Sequence, residues 1–208
     1  MAGPKKSVAL SGVSVAETSI CSIDPDEGVL MYRGYDIAEL AEHATYEEVA
    51  YLLLEGELPS SEELRAFCDR LAGARELPAA VVTIVDGNAM DASPMETLRT
   101  AVSALSFSDP AEDAIDRENE LRKAIELIAR LPVIVARYER RRRGETAVDP
   151  DPSLGYAENF LTMLRGERPS EEEARAFEIA MILHAEHEMN ASTFTARVVA
   201  GTNADMHS

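Results

Sequence analysis

The chain has 208 residues, is 46% hydrophobic and 28% charged, and carries a formal net charge of −18. Such a surplus of carboxylates excludes DNA or RNA as the main partner, because phosphate neutralisation needs clustered Lys and Arg. No apolar run approaches the roughly 20 residues needed to cross a bilayer. Lys5 and Lys6 are not followed by the apolar stretch of a secretory signal, and Cys21 and Cys68 read as free thiols in a reducing compartment, so a cytoplasmic protein with no membrane partner is expected.

In chain order, Val13 and Val15 alternate with small polar residues. Residues 18–23 and Val29–Tyr32 then flank Asp24-Pro25-Asp26-Glu27-Gly28, a strong turn signal, and predict a small β-hairpin. Everything after it reads as helix. Asp36 caps a short helix through Ala44, and Thr45 with Glu48 forms a capping box for Tyr46–Glu55, which Gly56 ends. Ser60 with Glu63 starts the next helix, fading at Gly73; Pro78 opens another that stops near Gly87. Ser93, Pro94 and Glu96 repeat the start signal for a helix over 95–105, with Pro at its first position, and a loop containing Asp109-Pro110 follows. Residues 116–142 form a long helical stretch that Pro132 should kink or split. At its end, Arg140-Arg141-Arg142-Arg143 reads as a basic terminus answering the helix dipole, or as an anion or partner contact. A loop spans 144–152, and a helix over 154–164 stops at Gly166. Ser170 with Glu173 then caps one long helix to Ala200 or Gly201, placing Phe177, Ala180, Met181, His184, His187 and Ala191 on one face. The fold class is all-α with a small N-terminal β-hairpin.

The chemistry concentrates in His184-Ala185-Glu186-His187-Glu188-Met189-Asn190-Ala191-Ser192-Thr193. His184 and His187 share a face if the run is helical, with Glu188 within reach of His184. The order H-x-E-H-E fits neither H-E-x-x-H nor H-x-x-E-H, and His43 and His207 are the only other histidines, so no metal site is expected. Two readings remain: histidines satisfied in a core network, or a site for an anionic small molecule whose carboxylate accepts from imidazole. Ala185, Ala191, Ser192, Ala196, Ala200 and Gly201 leave little side chain on this helix. A central helix covered by protein, at a dimer interface, is the expectation.

The run Ile182-Leu183-His184-Ala185-Glu186-His187-Glu188-Met189-Asn190-Ala191-Ser192-Thr193-Phe194 resembles the corresponding segment of citrate synthases in their short bacterial and archaeal form. Tyr32-Arg33-Gly34-Tyr35-Asp36-Ile37 resembles the family's R-G-Y-D-I turn. Residues 48–59 resemble its E-V-x-x-L-L-x-x-G-x-L-P, residues 94–103 its P-M-x-x-L-R-T-x-V-S, and residues 159–164 fit as well. The resemblance runs from about Leu10 to the end. It implies a multi-helical fold of which residues 1–208 are the N-terminal part of the large domain, without the small domain. It also implies a homodimer, and condensation of acetyl-CoA with oxaloacetate and water to citrate and CoA in the tricarboxylic acid cycle. Close relatives use propionyl-CoA and give 2-methylcitrate. No cofactor or metal is implied, acetyl-CoA being a substrate. By the resemblance His187 binds oxaloacetate, Asn190 and Ser192 support the site, and His184 is a buried support.

The family's remaining machinery, a G-P-L-H-G-G histidine, a G-x-G-H histidine, a proton-abstracting aspartate and carboxylate-binding arginines, does not occur in residues 1–208. Enolisation needs a positioned base and a donor for the enolate oxygen. This span is therefore expected to be inactive alone and to need a partner polypeptide or the missing half. A non-enzymatic helical dimerisation module or truncated remnant is the alternative from another class.

Overall fold

The computed structural model describes residues 17–88, 92–111 and 114–208; the expected strand residues Val13 and Val15 lie outside them. Strands β1 (Cys21–Asp24) and β2 (Val29–Tyr32) pair antiparallel with Cys21 opposite Tyr32. The turn closes through Asp24, whose Oδ1 accepts from the amides of Asp26 and Glu27 at 3.0 and 3.1 Å. A third strand, β3 (Tyr35–Asp36), extends the expected hairpin. Its link to β2 is Arg33-Gly34, with φ of 51° and 90°; two consecutive left-handed residues make the turn whose twist suits adjacent strands.

Nine helices follow among the described residues: α1 (Ile37–His43), α2 (Tyr46–Glu55), α3 (Ser61–Gly73), α4 (Ala79–Asn88), α5 (Pro94–Leu105), α6 (Arg117–Arg142), α7 (Tyr156–Arg165), α8 (Glu171–Leu183) and α9 (Ala191–Ala200). The capping boxes read from the sequence are all formed: Thr45 with Glu48, Ser60 with Glu63, Ser93 with Glu96 and Ser170 with Glu173. Each satisfies amides that a helix start otherwise leaves unpaired. Asp36 caps α1 as expected.

Helix α6 is the spine, packing against α3, α4, α5 and α7. One side buries Ile134 and Tyr138 with Val81, Val85, Ala101 and Leu105; another buries Ile125 and Ala129 with Phe67 and Leu71; a third buries Val133 and Ala136 with Met163. A separate cluster joins Tyr32 of the sheet to Leu40, Val49, Leu52 and Ile182, so it carries the sheet, α1, α2 and the end of α8.

Pro132 does not split α6. Proline lacks the amide that would bond the carbonyl four residues back, and that carbonyl, on Ile128, accepts instead from the Tyr156 hydroxyl at 2.6 Å. Helix α7 begins two residues later than the expected 154, with Gly155 at its cap position. The amide of Tyr156 donates to Oε1 of Glu47, on α2, at 2.8 Å. The basic run at the end of α6 is met inside the fold. Arg142 and Arg143 pair with Glu139 at 2.7 Å, Arg140 lies 3.1 Å from Glu145, and Arg137 grips Asp86 with two bonds of 2.8 Å. That favours the helix-terminus reading over an anion site.

The one long helix expected after Ser170 is the main correction. It is two helices, α8 and α9, separated at residues 184–190. Three causes act together, two local and one from the sheet. Asn190 takes an extended backbone and accepts from the amides of Ser192 and Thr193 at 2.9 and 3.0 Å, starting α9 afresh. Glu188 sits at φ 66°, a left-handed conformation that no helix interior tolerates. The carbonyls of Ile182 and Glu186 are drawn to the Tyr32 hydroxyl. The face recurring at steps of three and four is therefore interrupted, and α9 holds no buried residue: Phe194 is 40% and Val198 55% exposed. The expected protein cover over this helix is not supplied by the described residues.

Candidate functional site

The segment between α8 and α9 is a compact reverse turn. Its amides at His184 and Ala185 bond back to Met181 and Ile182 at 3.2 Å, closing the last turn of α8. The chain then reverses through Glu188, whose carbonyl accepts from the Asn190 amide at 2.9 Å. Two anchors reach it from the N-terminal sheet. The Tyr32 hydroxyl lies 3.1 Å from the Ile182 carbonyl and 2.9 Å from the Glu186 carbonyl, and it accepts from the Glu186 amide at 3.1 Å. Oε1 of Glu188 accepts from the amide of Ile23, on strand β1, at 3.0 Å.

His187 is exposed on this turn. Its amide donates to Oε1 of Glu186 at 2.9 Å, while among the described residues no hydrogen bond holds its ring. The imidazole is thus free to act on something outside the chain. His184 is exposed, not the buried support expected; it ends α8, and its Nδ1 lies 2.6 Å from the Ala180 carbonyl. Because the run is a turn, His184 and His187 do not share a helix face, and Glu188 serves Ile23 and not His184. Asn190 supports the turn through its side chain, whose Oδ1 caps α9. Ser192 is exposed and opens onto a different space, a groove of about 820 Å³ along α9 lined also by Arg99, Glu120, Thr195, Val199 and Met206. The turn therefore groups His187, Glu186 and Asn190, while Ser192 faces elsewhere.

A second polar cluster was not legible in the motifs. Lys123 is fully buried; its Nζ donates to the Ala114 carbonyl at 2.9 Å and to Glu120 at 3.2 Å, and stands 3.6 Å from Asp205. His207, also buried, places Nδ1 2.9 Å from Asp205 and 3.9 Å from Asp109, which pairs with Arg122 at 2.6 Å. Burial pushes the Asp205 carboxyl upward, but hydrogen bonds from His207 and Ser208 outweigh it and hold the group below the usual aspartate range. The cluster fastens residues 205–208 to the start of α6. The sequence signal was present but faint: a lysine on the apolar side of a long helix.

Burial pushes both the Cys21 and Cys68 thiols upward, away from the reactive thiolate form. Among the described residues no three His, Cys, Asp or Glu are grouped to hold a metal ion, and no helix is long and apolar enough to cross a membrane.

The family model described as "Citrate synthase, C-terminal domain" matches residues 9–208. The chain belongs to the citrate synthase family. It is 50% identical over 203 residues to a citrate synthase of Haloferax volcanii, covering 96% of this chain and 54% of the relative. A 2-methylcitrate synthase of Mycobacterium tuberculosis is 43% identical over 199 residues, covering 96% of this chain and 50% of that one. Among solved structures, citrate synthase of Pyrobaculum aerophilum superposes with a TM-score of 0.90 at 42% identity, covering 95% of this chain and 51% of that one. Citrate synthase of Thermoplasma acidophilum, in a ternary complex with carboxymethyl coenzyme A and oxaloacetate, gives 0.88 at 30% identity, covering 94% and 51%. The chain spans about half the length of the curated relatives it matches.

Proposed function

We propose that residues 1–208 are the oxaloacetate-gripping portion of a citrate synthase, the family reaction being acetyl-CoA, oxaloacetate and water to citrate and CoA in the tricarboxylic acid cycle. The observation that carries this reading is the His187 imidazole, exposed and without a hydrogen-bond partner among the described residues, on a turn anchored at Tyr32 and Ile23. An imidazole N–H aimed at a keto acid stabilises its carboxylate and polarises its carbonyl. His187 is the binding residue. Asn190 acts through the cap of α9 and His184 through the end of α8. Ser192 belongs to the groove beside them.

Turnover needs more. A carbon acid loses its proton only to a positioned base with a donor at the enolate oxygen, and residues 1–208 offer no G-P-L-H-G-G or G-x-G-H motif. The span works as part of a cytoplasmic assembly, with a homodimeric partner or a polypeptide carrying those motifs. The test is thiol release from acetyl-CoA and oxaloacetate. The 208-residue chain should give none, and addition of the C-terminal half of a citrate synthase should restore it. In the restored enzyme His187→Ala should raise KM for oxaloacetate by tenfold or more. Thiol release by the chain alone, or an unchanged KM, refutes the proposal. The identity to a 2-methylcitrate synthase supports a second reading, with propionyl-CoA as acyl donor; the ratio of kcat/KM for the two thioesters in the restored enzyme decides between them. Should no added half restore turnover, a non-enzymatic helical module is the reading left.

A further inference from the structure

We infer that Tyr32 is a positioning residue for His187, and that the N-terminal sheet exists in this fold partly to hold the histidine-bearing turn. The inference rests on the reading of His187 as the oxaloacetate contact.

The geometry is specific. Tyr32 lies on the central strand, paired to Cys21 on one side and Tyr35 on the other, so its backbone has little freedom. Its side chain is fully buried in the cluster with Leu40, Val49, Leu52 and Ile182. A hydroxyl offers one proton and two lone pairs. Here the oxygen accepts from the Glu186 amide, while the single proton is shared between the carbonyls of Ile182 and Glu186. One oxygen thus serves both the last turn of α8 and the residue immediately before His187. Glu186 in turn holds the His187 amide through its carboxylate. The path from sheet to imidazole therefore runs from the buried Tyr32 hydroxyl through the half-buried Glu186 to the exposed His187. The Glu188 carboxylate on the Ile23 amide is a second strap from the same sheet, on the other side of His187. Burial pushes the Tyr32 hydroxyl upward, so it remains a donor throughout the physiological range.

The experiment uses the 208-residue chain and three variants: Tyr32→Phe, Glu188→Ala and His187→Ala. Amide hydrogen exchange is followed across residues 184–190 and, as reference, across α2 and α6. Oxaloacetate is titrated into each protein with the His187 ring proton observed by NMR, or by calorimetry for His187→Ala. Tyr32→Phe should raise exchange in 184–190 at least tenfold with α2 and α6 unchanged, and should weaken oxaloacetate binding at least fivefold. Glu188→Ala should raise exchange in the same residues, and it carries the test if Tyr32→Phe does not fold. Unchanged exchange in 184–190, or a rise of equal size in α2 and α6, overturns the inference, since a merely structural tyrosine loosens the whole domain. Binding unaffected by Tyr32→Phe but lost in His187→Ala also overturns it while leaving the His187 reading intact. Binding unaffected by His187→Ala defeats that reading, and the exchange pattern then judges the turn alone.

Discussion

Tyr156→Phe removes a single oxygen that the fold uses to repair α6. The Ile128 carbonyl lost its helical donor to Pro132 and accepts from the Tyr156 hydroxyl at 2.6 Å. Phenylalanine keeps the ring stacked on Tyr46, with centroids 4.5 Å apart, and leaves the carbonyl unpaired. An unpaired acceptor costs about 1–3 kcal/mol when buried, and the half-buried Ile128 carbonyl should fall toward the lower end; in a domain of this size each kcal/mol lowers Tm by about 2–4 °C. Burial pushes the Tyr156 hydroxyl well above the tyrosine range, so the loss should not vary with pH between 6 and 9. The decisive step is a double-mutant cycle with Pro132→Ala. Alanine restores an amide facing Ile128, so Tyr156→Phe should cost less than about 1 kcal/mol in that background, giving a coupling of about 1–2 kcal/mol. Urea unfolding with constant m-values reads the four proteins. Equal cost in both backgrounds would refute the account of why α6 stays continuous.

Three further outcomes are expected. Asn190→Ala removes the cap of α9 and should destabilise that helix by about 1 kcal/mol; exchange should rise in residues 191–196 with the global urea midpoint nearly unchanged, and Asn190→Asp should restore protection. With a net charge of −18, like-charge repulsion opposes compaction and falls with screening, so Tm should climb by several degrees between 0.05 and 1 M KCl in roughly neutral buffer; a flat or falling profile contradicts this. Acid should unfold the chain through carboxylates whose folded values are depressed: Glu139, brought to about 2 by hydrogen bonds from Arg142 and then Arg143, and Asp86, lowered chiefly by its hydrogen bonds from Arg137. Their contribution is complete above the unfolded carboxylate range near 4 and is lost as pH falls through the folded values. Glu47 runs the other way, since burial raises it and its ionisation above pH 4 subtracts stability. Urea midpoints between pH 2 and 5 should therefore fall with acid, and Asp86→Asn should make the fall shallower.

Helix starts were legible because they are local. A Ser or Thr followed three residues later by Glu satisfies two amides within one turn, and the boxes at Thr45, Ser60, Ser93 and Ser170 all formed. Stops at Gly56 and Gly166 were legible for the same reason, both adopting the left-handed backbone that glycine permits. The break after Leu183 was not. The periodic face of Phe177 to Ala191 argued for continuity, and the opposing forces came from Tyr32 and Ile23, more than a hundred and fifty positions away. Asn190 before Ser192 and Thr193 was the one local hint. At the candidate site the resemblance pointed to His187, whereas the arrangement around it was not legible, because His184 turned outward and Ser192 faced another groove. The buried set around Lys123 and His207 joins α6 to residues beyond α9, and no spacing rule brings those together.

The anchors on the His187 turn span 154 residues for Tyr32 to Glu186 and 165 for Ile23 to Glu188. Contacts so distant in sequence form only after the intervening helices have shortened the loop between them. Ribosomal synthesis therefore delivers α1 to α7 before any residue of the turn can be seated. The turn should therefore be seated late, after the helices that bring its anchors together. Whether these two distant anchors are seated should then set whether the histidine is presented.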